Sequence, residues 1–341
     1  MLEELYRRIL TMSDFSNQRR QRFISEPYFK WLSRFLLESI DKWSRILPAN
    51  GSEDEKQAGA AAFRASDRFE LVLLRYTAGE PIGPMRDEMD GIVAEYEELA
   101  KWQRLALGRP DWPAFRLSDL GEYERAMQLI GLCFLLHRQD LLPRIAALQD
   151  PLYRGRDTLY EELLDYGLDG RVDVDSWIHE SYRNCINSMF GDSDEESLAD
   201  LNAYLGQWYS SMSSVDWHDS HLDLSEERGL YFGYWAIEAA ALAYLLELDD
   251  TSLREHIVYP KDLVDFARSF QENAPRETPP PGPVTVRTGQ VCPETGVWKA
   301  QGHNVPGVLV KQGDTTPDVF APDRSGAHRP QPAVWELERK A

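Results

Sequence analysis

Two histidines and a carboxylate fall within four residues in Trp217-His218-Asp219-Ser220-His221, and imidazole with carboxylate is a donor set that zinc and related metals accept. On a helix His218 and His221 would share a face. A metal site also needs a third or fourth ligand and groups that orient the first ones, and no H-E-x-x-H or C-x-x-C pair supplies them. A solvated loop is therefore the expectation, with a metal-dependent helical hydrolase built on His218, Asp219 and His221 as the lesser alternative. Cys133 and His137 stand one helical turn apart, the spacing of a Cys-His nucleophile pair, but Cys133 lies in the apolar run Leu129–Leu136 without an orienting group, so core and core edge are expected. Adjacent acids such as Glu161-Glu162 and Asp249-Asp250 could act as general acid and base only in an apolar pocket. Neither a G-x-S-x-G elbow nor a phosphate-binding G-x-x-x-x-G-K-[ST] loop is present. No catalytic residue, metal or cofactor is expected.

A different chemistry is written between Asn184 and Glu227. That stretch holds ten carboxylates (Asp192, Asp194, Glu195, Glu196, Asp200, Asp216, Asp219, Asp223, Glu226, Glu227) and neither Lys nor Arg. Charge runs are usually solvated faces, yet a long single-sign field also attracts a basic partner. Tyr204, Trp208, Tyr209 and Trp217 are interleaved with these acids and are candidate anchors, because aromatic side chains retain a partner where charge chiefly steers it. The formal net charge of the 341-residue chain is −20. Direct nucleic-acid binding is disfavoured, since phosphate contacts require clustered Lys and Arg.

The elements that must carry this surface are helical. Phe29, Leu32, Phe35, Leu36, Ile40, Trp43, Ile46 and Leu47 recur at three- and four-residue steps until the turn Pro48–Gly51. Further helices are expected through Phe63–Tyr76, Met85–Leu99, from an Asp119 N-cap to Leu136, and over Leu141–Leu148. A second group follows at Leu159–Tyr166, Val174–Phe190, Leu198–Met212, Leu230–Leu248 and Lys261–Phe270. Pro275, Pro279, Pro280, Pro281 and Pro283 read as a stiff linker. Beyond them, Val284–Val286, Val297–Lys299, Val308–Val310 and Val334–Leu337 read as short strands. The expected fold is all-α, two tandem antiparallel helical domains over 1–150 and 151–274, with a small β-rich appendage over 275–341. That appendage has eight basic and seven acidic residues, so its charge is 8 − 7 = +1 and the helical body carries −20 − 1 = −21. Hydrophobic residues make up 43% of the chain, enough for a packed core. Three cysteines without paired spacing suit a reducing compartment, and no run is long and apolar enough to span a bilayer. A cytoplasmic protein without leader or anchor is expected.

Several segments carry a resemblance as an ordered set. Gly233-Tyr234-Trp235-Ala236-Ile237-Glu238-Ala239-Ala240-Ala241-Leu242, then Asp249-Asp250-Thr251-Ser252, then Tyr259-Pro260-Lys261-Asp262-Leu263 resemble the C-terminal domain of PoNi-type immunity proteins. Upstream, Arg75-Tyr76-Thr77-Ala78-Gly79-Glu80 and Tyr123-Glu124-Arg125-Ala126-Met127 are similar to the N-terminal domain of the same family. The resemblance covers most of residues 10–272. It implies two helical domains and a protein that neutralises a PoNe-type DNase toxin of bacterial type VI secretion or polymorphic-toxin systems. The motif residues Arg75, Tyr76, Gly79, Tyr234, Trp235, Glu238, Asp249, Asp250, Tyr259, Pro260 and Asp262 are expected to be structural. Under this reading the partner surface is Asp192, Asp194, Glu195, Glu196, Asp200, Tyr204, Trp208, Asp216, Trp217, Asp219 and Asp223, facing a basic nuclease groove. A chaperone or adaptor for a secreted effector is the alternative binding function.

Overall fold

The computed structural model describes residues 15–273, 285–301, 305–322 and 328–340. The chain divides into two compact units, residues 1–273 and 274–341. The Pro-rich segment 275–283 and the start of the chain, over which a linker and the lack of a leader were expected, lie outside the described residues.

Among the described residues the first unit contains eleven α-helices: α1 Phe15–Gln18, α2 Glu26–Arg45, α3 Glu53–Thr77, α4 Gly83–Leu107, α5 Leu120–Leu135, α6 Leu142–Tyr153, α7 Thr158–Asp165, α8 Arg183–Asn187, α9 Asp194–Ser211, α10 Ile237–Leu245 and α11 Lys261–Asn273. Local chemistry sets their ends. Ser25 caps α2, Ser52 and Glu55 close a reciprocal capping box on α3, and the Asp119 carboxylate accepts from the backbone N–H groups of Gly121 and Glu122 at the start of α5, each relieving amides that have no intrahelical partner. Short connections make α2, α3 and α4 pack as successive neighbours.

The centre of the unit is α5 against α10. Eight of the nine residues of α10 and twelve of the sixteen of α5 are buried, as in helices largely surrounded by others. They approach at Gly131, where a β-carbon would stand 3.2 Å from Ile237 Cγ2 and 3.3 Å from Ala241 Cβ. Since α5 and α10 lie on opposite sides of residue 150, one hydrophobic core runs from Phe15 to Ala267 without a break there. The boundary expected at residue 150 falls inside α6.

Two expected helices are largely replaced. Within Val174–Phe190 only a 3₁₀ turn at Glu180–Tyr182 and α8 are helical, because Thr158 Oγ donates to the Val174 carbonyl at 2.7 Å and holds the preceding chain extended. Within Leu230–Leu248 helix begins only at Ile237. The backbone before it is used by distant side chains, with Tyr28 accepting from Tyr231 N–H at 2.7 Å and Thr77 Oγ donating to the Phe232 carbonyl at 2.7 Å.

The second unit is antiparallel β structure: β1 Thr285–Arg287, β2 Gly296–Ala300, β3 Val308–Val310, β4 Val319–Pro322, β5 His328–Gln331 and β6 Val334–Lys340. The sheet order is β1-β6-β2-β3, with β4 and β5 paired separately. Its small core is Val286, Cys292, Trp298, Ala300, Val310, Val319 and Trp335. The β4–β5 hairpin was not anticipated; Pro322 and Pro330 within it remove the strand signal.

Candidate functional site

The acidic stretch occupies α8, the turn to α9, α9 itself and the irregular segment that follows to Leu230. Ser193 caps α9, and Asp194, Glu195 and Glu196 form its first turn, where carboxylates complement the exposed amides and the helix dipole. Glu196 also accepts from Asp192 N–H at 2.9 Å. Nine of the ten carboxylates are exposed; Asp200 is half-buried, and its carboxyl is pushed up by burial and by neighbouring Glu196. Among the described residues the only ion pair made by any of the ten is Asp219 with His218, at 3.5 Å. Glu226 and Glu227 form the tip of a tight turn closed by Ser225 N–H donating to the Arg228 carbonyl at 3.0 Å.

The aromatic anchors divide. Tyr204 and Trp208 are fully buried and are not contact residues: the Tyr204 hydroxyl donates to Glu238 Oε1 at 2.5 Å and the Trp208 indole N–H to the same oxygen at 3.2 Å. A buried carboxyl needs those donors, so the α9 face carrying Tyr204 and Trp208 turns inward. Trp217 is half-buried, stacks on Trp208 with centroids 5.3 Å apart, and donates to Glu124 Oε2 at 2.7 Å. Tyr209 is half-buried; its hydroxyl donates to Asp219 and its ring stacks on His218. This bond holds the Asp219 carboxyl below its usual range. Exposed apolar side chains that the sequence reading passed over do stand among the acids: Phe190, Leu222 and Leu230 are 58%, 67% and 58% exposed. A single apolar residue between charged ones leaves no periodic signal by which to find it.

The histidines do not converge. His221 Nδ1 meets the Tyr234 hydroxyl at 2.8 Å, whereas His218 Nδ1 turns to Asp219. No cluster of three or more His, Cys, Asp or Glu residues among those described is arranged to hold a metal ion. Cys133 is fully buried, and burial pushes its thiol well up, while His137 Nε2 meets the Ala267 carbonyl at 2.9 Å; the two form no nucleophile pair.

The motif residues fasten the helical unit together. Arg75 pairs with Glu80 at 2.6 Å and with Glu88. Gly79, at φ +90°, lies so close to the Gln18 carbonyl that a β-carbon would sit 2.0 Å from it, so only glycine fits. Tyr76 packs edge-on against Trp235 at 4.8 Å, and the Arg20 guanidinium lies over its ring while Arg20 Nε pairs with Asp262 at 2.5 Å. Trp235 donates to Thr77 Oγ at 2.8 Å. Asp249 caps the 3₁₀ turn Asp250–Ser252. Asp250, nearly buried, accepts from Tyr259 at 3.0 Å and Arg268 at 2.7 Å, and Pro260 immediately precedes α11. Gln21 was not singled out from the sequence. Its buried amide donates to the Tyr234 and Ile257 carbonyls at 2.7 and 2.9 Å and accepts from Tyr234 N–H at 2.9 Å and from the Tyr231 hydroxyl.

Residues 155–263 match the family model described as PoNe immunity proteins (PoNi), C-terminal. No curated protein matches the chain. Among solved structures, protein PA2201 from Pseudomonas aeruginosa is similar, at 21% identity and a TM-score of 0.61 over 79% of this chain and 96% of that one; at that identity the likeness is one of fold. No helix among the described residues is long and apolar enough to cross a membrane. The exposed acids and the Glu238 helix both lie within the matched span, so over residues 155–263 the chain is similar to the C-terminal domain of the PoNe immunity proteins.

Proposed function

We propose that the chain is a non-catalytic immunity protein that binds and neutralises a nuclease toxin of the PoNe type in the cytoplasm. The observation that carries this reading is the coincidence of the family match over residues 155–263 with nine exposed carboxylates that make no ion pair among the described residues, Asp219 with His218 excepted. A nuclease holds a basic groove for phosphates, so a surface of carboxylates competes with DNA for the same field. Complementary charge raises association toward about 10⁸ to 10⁹ M⁻¹s⁻¹ at low salt. Retention falls to apolar contacts, for which Phe190, Leu222 and Leu230 replace Tyr204 and Trp208.

Co-expression tests the proposal. The toxin encoded beside this protein is expected to kill when produced alone and to be tolerated when this chain is produced with it, the two co-purifying as a complex whose association rate falls with salt. A neighbour that is harmless alone, or a lethal one that neither binds this chain nor is restrained by it, would overturn the reading.

A further inference from the structure

Two buried carboxyls take no part in partner contact. Glu124 on α5 is 4% exposed and Glu238 in the first turn of α10 is fully buried. Neither has an ion-pair partner among the described residues; Arg125, beside Glu124 in sequence, sends its guanidinium to Ser66 and Glu70. The oxygens of the two groups are treated differently. Both Glu124 oxygens accept, Oε1 from Gln128 Nε2 at 2.9 Å and Oε2 from Trp217 Nε1 at 2.7 Å. Glu238 Oε1 accepts from Tyr204 and Trp208, but its Oε2 is buried without a partner, as is the Tyr182 hydroxyl. The Trp208–Trp217 stack, tilted by only 15°, joins the two sites.

The asymmetry places a proton. Acceptor contacts on both oxygens support a carboxylate, whereas a buried carboxyl with one oxygen lacking any polar partner gives a negative charge too little support and favours the neutral acid. Within electrostatic reach of each other in a core of low polarity, the two groups resist a second negative charge. Burial raises both carboxyls well above the usual carboxylate range, and the hydrogen bonds set which keeps the proton, since both Glu124 oxygens already accept and Glu238 Oε2 does not. The titratable neighbours are Tyr123 and Arg125 on α5, Tyr182 and Cys185 at and before α8, and Tyr204 on α9. Burial pushes the three phenols and the thiol far up, so none supplies a compensating charge. Trp217 belongs to an irregular segment, the least costly cover to move if the second charge must be hydrated.

We propose that Glu124 and Glu238 form a one-proton latch for the acidic segment 212–230: while the pair keeps one proton, on Glu238 Oε2, Trp217 seals it and the segment stays pinned to the core. When both carboxyls ionise, the segment lifts and water enters. The latch is a property of this chain and stands or falls independently of any toxin.

Backbone hydrogen exchange of the whole chain, corrected for the intrinsic rate at each pH, tests it. One proton linked to local opening makes the protection of residues 215–230 fall by up to about tenfold per pH unit above the transition, with the decline confined to that segment. Glu238→Gln, whose neutral amide cannot ionise, is expected to flatten the profile while retaining His218 and His221, so a slope due to those histidines would survive in it. Trp217→Phe removes the seal and leaves the segment poorly protected at every pH. The proposal is overturned if wild-type protection of 215–230 is flat from pH 6 to 9, if it declines equally in α3 and α4, or if Glu238→Gln keeps the wild-type slope. The wild-type comparison between segments decides the matter even if Glu238→Gln does not fold.

Discussion

Gln21→Ala tests whether the helical unit is one cooperative body. Gln21 sits in a bend between α1 and α2, 1% exposed, and reaches residues more than two hundred positions away in sequence. Truncation strands two carbonyls, one backbone N–H and the Tyr231 hydroxyl. Each buried polar group left unpaired costs about 1–3 kcal/mol. The losses are not additive, and water entering the vacated amide space will satisfy some of the four, so we expect a net destabilisation of about 3–5 kcal/mol. A domain of this kind is stable by about 5–15 kcal/mol, so the variant should still fold. With a urea slope of about 3 kcal/mol/M, the midpoint falls by roughly 1 to 1.7 M. Urea unfolding followed by helical circular dichroism reads the first unit selectively, since the second is β structure. A loss below about 1 kcal/mol would refute the assigned role. So would two separated helical transitions of which the substitution moves only one, because residues 1–150 and 151–274 would then unfold independently.

Charge and pH supply two further expectations. Asp223→Lys, Glu226→Lys and Glu227→Lys together reverse carboxylates that lie outside any helix; on the proposed function they slow toxin association severalfold or more and flatten its salt dependence, with unchanged circular dichroism. The same reversal at Asp194, Glu195 and Glu196 is less clean, because it also opposes the α9 dipole. Unchanged association kinetics would place the contact elsewhere. For pH, Glu124 and Glu238 are raised in the folded protein from the ordinary glutamate value of 4.5 to about 8 and about 7, so the folded chain binds more protons than the unfolded one between those limits. The sign is therefore negative: their contribution is fully present below about pH 4.5 and is lost progressively as pH rises through about 7 to 8. From pH 6 to 8 the loss is on the order of 3 kcal/mol in denaturant titrations, less in Glu238→Gln, and a stability that instead rises over that interval contradicts the assignment.

Local signals explain what was legible. The α2 stripe of Phe29, Leu32, Leu36 and Ile40 is buried as its spacing required, and Asp119 caps α5. Both are written within a few neighbouring residues. What escaped depends on partners remote in the chain. The segment Leu230–Ala236 is apolar enough to read as helix, yet Gln21, Tyr28 and Thr77 take its backbone groups, and nothing near residue 230 encodes those three. Tyr204 and Trp208 illustrate the same limit at the surface. Interleaving with acids suggested anchors, but their direction was settled by Glu238, 34 and 30 residues further on.

The ten carboxylates can be sorted by what the fold already asks of them. Asp194, Glu195 and Glu196 begin a helix, Asp200 is half-buried, and Asp219 receives the Tyr209 hydroxyl; each has a local reason to be acidic or to be held. Asp192, Asp216, Asp223, Glu226 and Glu227 are exposed without an ion pair among the described residues, and no side-chain hydrogen bond recruits them to the core. Uncompensated like charges gathered on one segment destabilise the compact state slightly through repulsion. The nearby exposed Leu222 and Leu230 likewise forgo burial. On the proposed function, residues that cost the fold a little and return nothing to it are where the toxin's footprint is best sought, around 216–230 rather than at the α9 helix start, where the charge is most dense.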